Sequence, residues 1–133
     1  MILVLVLGCL LALGAAGCGG DDNDEQPAAA NSIAELTVTV DPDGDGGAKP
    51  KTATVKCGPA SDSKECAALG DMRADVFQPV PGNMACTQQY GGPETATVTG
   101  TFKGEHVDAK FSRVNGCEIA RWERMKPVLE VAA

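Results

Sequence analysis

Cysteine placement constrains this chain more than any other feature. Six cysteines occur in 133 residues. Cys9 and Cys18 lie in and just after an apolar N-terminal run, whereas Cys57, Cys66, Cys86 and Cys117 lie well beyond it. An even set in an exported domain reads as a disulfide framework, and four cysteines permit three pairings among which spacing alone does not choose. Zinc is the competing use. It fits poorly, because no two of these cysteines sit two to four residues apart and His106 is the only histidine. No metal and no cofactor are therefore expected.

Export is read from the first residues. Ile2 to Ala16 is an apolar run broken only by glycines and Cys9. It is shorter than the roughly 18–20 residues that span a bilayer, and it ends in small residues, as the apolar part of a signal peptide does. Residues 1–17 are assigned to that signal. Cys18, directly after Ala15-Ala16-Gly17, resembles the lipidated cysteine of a bacterial lipoprotein, although Ala15 stands where such signals usually carry leucine. Lipidation would make the bilayer a partner and place the chain on the outer face of the cell membrane. The alternative is ordinary secretion with cleavage nearby. Residues 18–31 are small and acidic, with Asp21, Asp22, Asp24 and Glu25 and no apolar anchor, so they read as a disordered tether. The folded domain is expected over residues 32–133.

Charge narrows the partners. A net charge of -7 with no lysine or arginine run excludes a basic footprint for nucleic acid or for an anionic lipid surface. Aromatic residues make up only 4% of the chain, so burial alone gives a modest core and the cross-links matter more.

The domain alternates like a sheet protein. Leu36-Thr37-Val38-Thr39-Val40 and Thr52-Ala53-Thr54-Val55-Lys56-Cys57 each alternate apolar with polar residues, the mark of half-buried strands. Between them, Asp41-Pro42-Asp43-Gly44-Asp45-Gly46-Gly47 mimics the start of a calcium loop. Thr52 stands where the bidentate glutamate belongs and no helix precedes, so a long hairpin turn is the better reading. Asp62-Ser63-Lys64-Glu65 predicts a helix start with Asp62 as cap. Cys66, Leu69, Val76 and the stem of Arg73 then share one helical face, ended by Pro79 and Pro81. Ala96, Val98, Gly100 and Phe102 define one face of a later strand whose other face is threonine. After a Lys103-Gly104 turn, Val107, Ala109 and Phe111 alternate back. The pattern predicts an α+β domain: an antiparallel sheet of about four to five strands, one or two helices packed on one face, and two disulfides.

One segment fits neither element. Met84-Ala85-Cys86-Thr87-Gln88-Gln89-Tyr90-Gly91-Gly92-Pro93 is too polar for a core strand, and its Gly-Gly-Pro ending forbids a helix. It reads as an exposed, extended loop tied down at Cys86. The bland alternatives are solvated filler for Gln88 and Gln89, and a supporting, partly buried aromatic for Tyr90.

Cys86, Tyr90 four residues on, the proline after it, Val98-x-Gly100-x-Phe102-x-Gly104, and Phe111 followed by Asn115-Gly116-Cys117-Glu118 together resemble the subtilisin inhibitor-like family of actinobacterial secreted proteins. The likeness reaches back to about Leu36, with its specific part between Cys86 and Cys117. It implies a small α+β serine protease inhibitor, usually dimeric, so that a second copy of this chain is a candidate partner beside a subtilisin-like protease. It also implies the bridges Cys57–Cys66 and Cys86–Cys117. The reactive loop becomes Cys86, Thr87, Gln88, Gln89, Tyr90 and Gly91, with Gln88–Gln89 as the scissile-type bond and Gln88 entering the primary pocket. Asn115 is implied to hydrogen-bond the loop backbone; read from local sequence, it is equally a turn residue ahead of Gly116. The family has one residue between this tyrosine and the proline where this chain has Gly91-Gly92, an addition expected to loosen the leaving-group side.

Gln88 is neutral, so a trypsin-type pocket would be left with its buried acid unpaired, whereas a shallow subtilisin pocket tolerates an amide. His106 falls on the polar side of a strand as a bystander, and Trp122 reads as core or dimer packing. No nucleophile–base arrangement supports an enzyme. The alternative function is a cell-surface lipoprotein binding module that reuses the inhibitor fold without strong inhibition.

Overall fold

The computed structural model describes residues 31–133. The expected signal peptide, the Cys18 lipidation site and nearly all of the tether lie outside the described residues.

Alternating side chains build the sheet as anticipated. Strands β1 (Ala34–Asp41), β2 (Lys51–Cys57), β3 (Thr95–Phe102) and β4 (Glu105–Phe111) form one antiparallel sheet in the order β2-β1-β3-β4. Ala34, Leu36, Val38 and Val40 of β1 are buried. Ala96, Val98 and Phe102 of β3 and Val107, Ala109 and Phe111 of β4 complete the same apolar face. The opposite face is threonine in register: Thr39 opposes Thr52 and Thr97, and Thr37 opposes Thr54 and Thr99. β-Branched polar residues suit that position, holding the pleat while facing water. The β3–β4 turn needs positive φ at both central residues, 49° at Lys103 and 82° at Gly104, which matches the right-handed twist of the strands.

Two helices cover the apolar face. Helix α1 (Lys64–Asp71) starts one residue later than the sequence suggested. Ser63, not Asp62, is the cap, and its Oγ accepts from the Cys66 amide at 3.3 Å. The helix also stops sooner. Gly70 weakens it, and the Lys103 ammonium takes the carbonyls of Gly70 and Met72 at 3.1 and 2.8 Å, closing the C-terminal end. Val76 consequently sits in a separate 3-10 turn, Ala74–Phe77, where Phe77 packs at 5.1 Å from the Phe102 ring.

Helix α2 (Gly116–Leu129) runs on into a 3-10 turn, Glu130–Ala132. It buries Arg121, Met125, Val128 and Leu129 on one stripe. Arg121 is the one buried charged residue among the described residues, and its contacts explain why it is tolerated. Its guanidinium meets Glu118 at 2.7 Å, the Lys110 carbonyl at 3.2 Å and the Val76 carbonyl at 3.4 Å, and lies 4.5 Å from the Phe111 ring centroid. One side chain thereby ties α2 to β4 and to the 3-10 turn. The sheet, the helices and the bridges Cys57–Cys66 and Cys86–Cys117 make the domain α+β with two disulfides.

Candidate functional site

The segment between the Ala74–Phe77 turn and β3 has no regular structure. Three attachments decide its shape. Cys86 is bridged to Cys117 in the first turn of α2, with the Cα atoms 5.4 Å apart. One residue on, the Thr87 carbonyl accepts from the Gly116 amide at 3.0 Å. Four residues further, the Gly91 amide donates to the Arg113 carbonyl at 2.7 Å. The loop thus lies antiparallel to residues 113–117, stapled on both sides of its middle.

Between those staples stand Gln88, Gln89 and Tyr90. All three are exposed, Tyr90 by 65%. Among the described residues, their backbone N–H and C=O groups make no hydrogen bond within the chain. A peptide held at its ends with free donors and acceptors in its middle is ready to pair with an extended-strand receptor. Three of the four exposed large apolar residues among the described residues belong to or adjoin this segment and its anchor, the fourth being Val131. Met84 (53%) precedes the loop, Tyr90 belongs to it, and Val114 (56%) adjoins the residue that anchors Gly91.

The double glycine is packed. A Cβ on Gly91 would lie 2.9 Å from Ile119 and 3.2 Å from the Arg113 Cβ. Gly92, with φ 139°, would drive a Cβ into Glu94 Oε2. The two residues let the backbone settle onto α2 and the Glu94–Arg113 pair. Gly116 does the same on the other side, where any side chain would collide with the Thr87 hydroxyl.

Asn115 serves differently from what the resemblance implied. It caps α2, its Oδ1 accepting from the Glu118 amide at 3.0 Å, and no side-chain bond from it to the loop is present. Arg113, two residues before it, through a carbonyl and Gly116, next after it, through an amide hold the loop instead. The spacing Asn115-x-x-Glu118 was the sequence signal for this cap. Arg113 and Glu94 were missed, because nothing in their local sequence announces that they meet. His106 is exposed at the sheet edge, and Trp122 packs partly buried against the core.

Among the described residues no group of histidine, cysteine, aspartate or glutamate is arranged to hold a metal ion. Beyond the loop, the acidic hairpin turn shows perturbed carboxyls. The neighbouring Asp41 carboxyl pushes Asp43 above the ordinary carboxylate value, and Asp43 in turn draws Asp41 below it. The turn's amides are spent internally, Asp43 and Gly44 on Asp41, Gly47 on Asp45 and Ala48 on Asp43, as in a closed turn. Compared with known proteins, the chain matches no family model and no curated sequence.

Proposed function

We propose that this chain is an exported inhibitor of subtilisin-like serine proteases, held at the outer face of the membrane by a lipid on Cys18, with Gln88–Gln89 as the bond offered to the enzyme. The observation that carries the reading is the loop itself: three exposed residues with unpaired backbone, fixed by a disulfide and two backbone hydrogen bonds.

The physics of such a loop favours binding without digestion. A protease that takes about six residues of extended substrate freezes each at about 1–2 kcal/mol, so a flexible peptide loses roughly 6–12 kcal/mol. Here the fold has already ordered those residues, and every 1.4 kcal/mol spared is about tenfold in affinity. The second effect follows attack. When the enzyme's serine adds to the Gln88 carbonyl and the bond breaks, the electron pair and a proton go to the Gln89 nitrogen. That new amine is restrained by the Gly91–Arg113 hydrogen bond only two residues away. It therefore stays beside the acyl group and re-forms the peptide bond faster than water arrives.

Titrating the full-length chain into subtilisin tests this. The expected result is stoichiometric loss of activity, with the Gln88–Gln89 bond largely intact in recovered inhibitor. Rapid, complete cleavage after Gln88 with return of activity would refute inhibition and favour a surface binding module.

A further inference from the structure

Beneath the leaving-group side of the loop lies an ion pair that the sheet and helices do not require. Arg113 Nη1 meets Glu94 Oε1 at 3.0 Å, the two side chains being 25% and 33% exposed. The guanidinium faces the Trp122 ring, 5.9 Å from its centroid. The pairing is incomplete, because Glu94 Oε2 and Arg113 Nε are both buried without a hydrogen-bond partner. A part-exposed pair that leaves two buried atoms unsatisfied contributes little to stability.

What the pair does contact is the loop. Gly92 rests so closely on it that a Cβ would strike Glu94 Oε2 and stand 3.1 Å from Arg113 Nη1. Arg113 meets the loop twice, with its carbonyl on the Gly91 amide at 2.7 Å and its side chain under Gly92. Glu94 closes the arrangement from the far side, two residues beyond Gly92.

We propose that the Glu94–Arg113 pair, backed by Trp122, is a positioning device for the leaving-group half of the loop. It seats Gly91-Gly92, and through them holds Gln89 in line with Gln88. The purpose of that alignment rests on the inhibitor reading, while the seating itself does not. Glu94 and Arg113 are positioning residues, since neither reaches the bond.

The test separates the two ideas. In the full-length chain, amide hydrogen exchange is followed at Gly91 and in β1 and β3 for the parent, Arg113→Ala, Glu94→Gln and Arg113→Lys, and the lifetime of the subtilisin complex is measured for each. Arg113→Ala and Glu94→Gln should speed Gly91 exchange at least tenfold while leaving the β1 and β3 amides unchanged. Arg113→Lys, which keeps the charge opposite Glu94, should recover part of the protection. Complex lifetime should shorten in the same order. Unchanged Gly91 exchange in Arg113→Ala, or equal acceleration throughout the sheet, overturns the proposal. Absence of inhibition by the parent overturns the inhibitor reading alone, and Gly91 exchange still decides the seating.

Discussion

The two disulfides offer a controlled comparison, because both strengthen the fold and only one touches the loop. Cys57–Cys66 spans 9 residues and fastens α1 to the end of β2. Cys86–Cys117 spans 31 and fastens the loop to α2. From chain entropy, removing them costs about 2.6 and 3.7 kcal/mol respectively, a difference of about 1 kcal/mol. If the bridges acted on inhibition only through global stability, the Cys57→Ala/Cys66→Ala and Cys86→Ala/Cys117→Ala variants would lose potency almost alike wherever both remain folded.

Attachment of the loop by Cys86–Cys117 predicts otherwise. Without Cys86–Cys117, Thr87 and Gln88 regain conformational freedom on the acyl side of the bond, worth about 2–4 kcal/mol on binding. Affinity should then fall roughly thirty- to a thousandfold. The Cys57–Cys66 variant should keep the parent affinity within about threefold, since nothing at the loop changes. Urea unfolding identifies conditions in which both variants are folded; inhibition constants for subtilisin and mass spectrometry of the Gln88–Gln89 bond follow there. Equal potency of the two variants, or an intact bond in the Cys86→Ala/Cys117→Ala protein after prolonged incubation with enzyme, would show that this bridge does not act through the loop.

Three further outcomes follow from the same structure. Gln88→Arg should add binding to a trypsin-type enzyme at least a hundredfold above the parent by giving the acid of its pocket a cation, and an inhibition assay showing no gain would mean that position 88 does not enter the pocket. Arg121→Ala should destabilise the domain by about 3–5 kcal/mol in urea unfolding, because Glu118 and two carbonyls lose their shared donor; a loss below about 1 kcal/mol would show that the buried network is not a structural tie. The acidic turn gives a pH dependence. Asp43, raised, contributes stability that is present below its unfolded value and lost as pH rises through its folded one; Asp41, lowered, contributes stability that is present above its unfolded value and lost as pH falls through its folded one. The two contributions overlap only around the ordinary carboxylate value. Asp43→Asn, which removes a negative charge beside Asp41, should raise Tm at pH 7 and lose that advantage in the acid range where Asp43 is protonated; an equal effect at both would refute coupling of the two carboxyls.

Strand identity was legible because period-2 alternation is a local property. Leu36, Val38 and Val40, and Ala96, Val98 and Phe102, are buried on the faces their spacing assigns. The helices were harder. In α1 the competition between Asp62 and Ser63 for the cap is decided by packing, and the helix end by Lys103, a residue 31 positions from its acceptor at Met72. In α2 the buried stripe includes Arg121 and the last turn contains Pro127, so the apolar period is interrupted where the helix is most firmly held.

The loop shows the same division between local and distant causes. Its exposure, its attachment at Cys86 and its non-helical character all follow from residues 84–93, and they were readable. Its seating is not local. The Gly91-Gly92 dipeptide looks flexible in isolation, since glycine adopts the widest range of backbone conformations. In the fold the same lack of a side chain has the opposite consequence: it lets the backbone approach Ile119, Arg113 and Glu94 more closely than any other residue would allow. Whether a glycine loosens or tightens a loop is set by what lies beneath it, and here that floor is assembled from β4's exit, α2 and the residue after Pro93. An inhibitor loop needs its leaving-group side fixed as firmly as its disulfide side, since religation fails if either cut end drifts. The added glycine is thus compatible with the proposed inhibition to the extent that the Glu94–Arg113 floor stays closed.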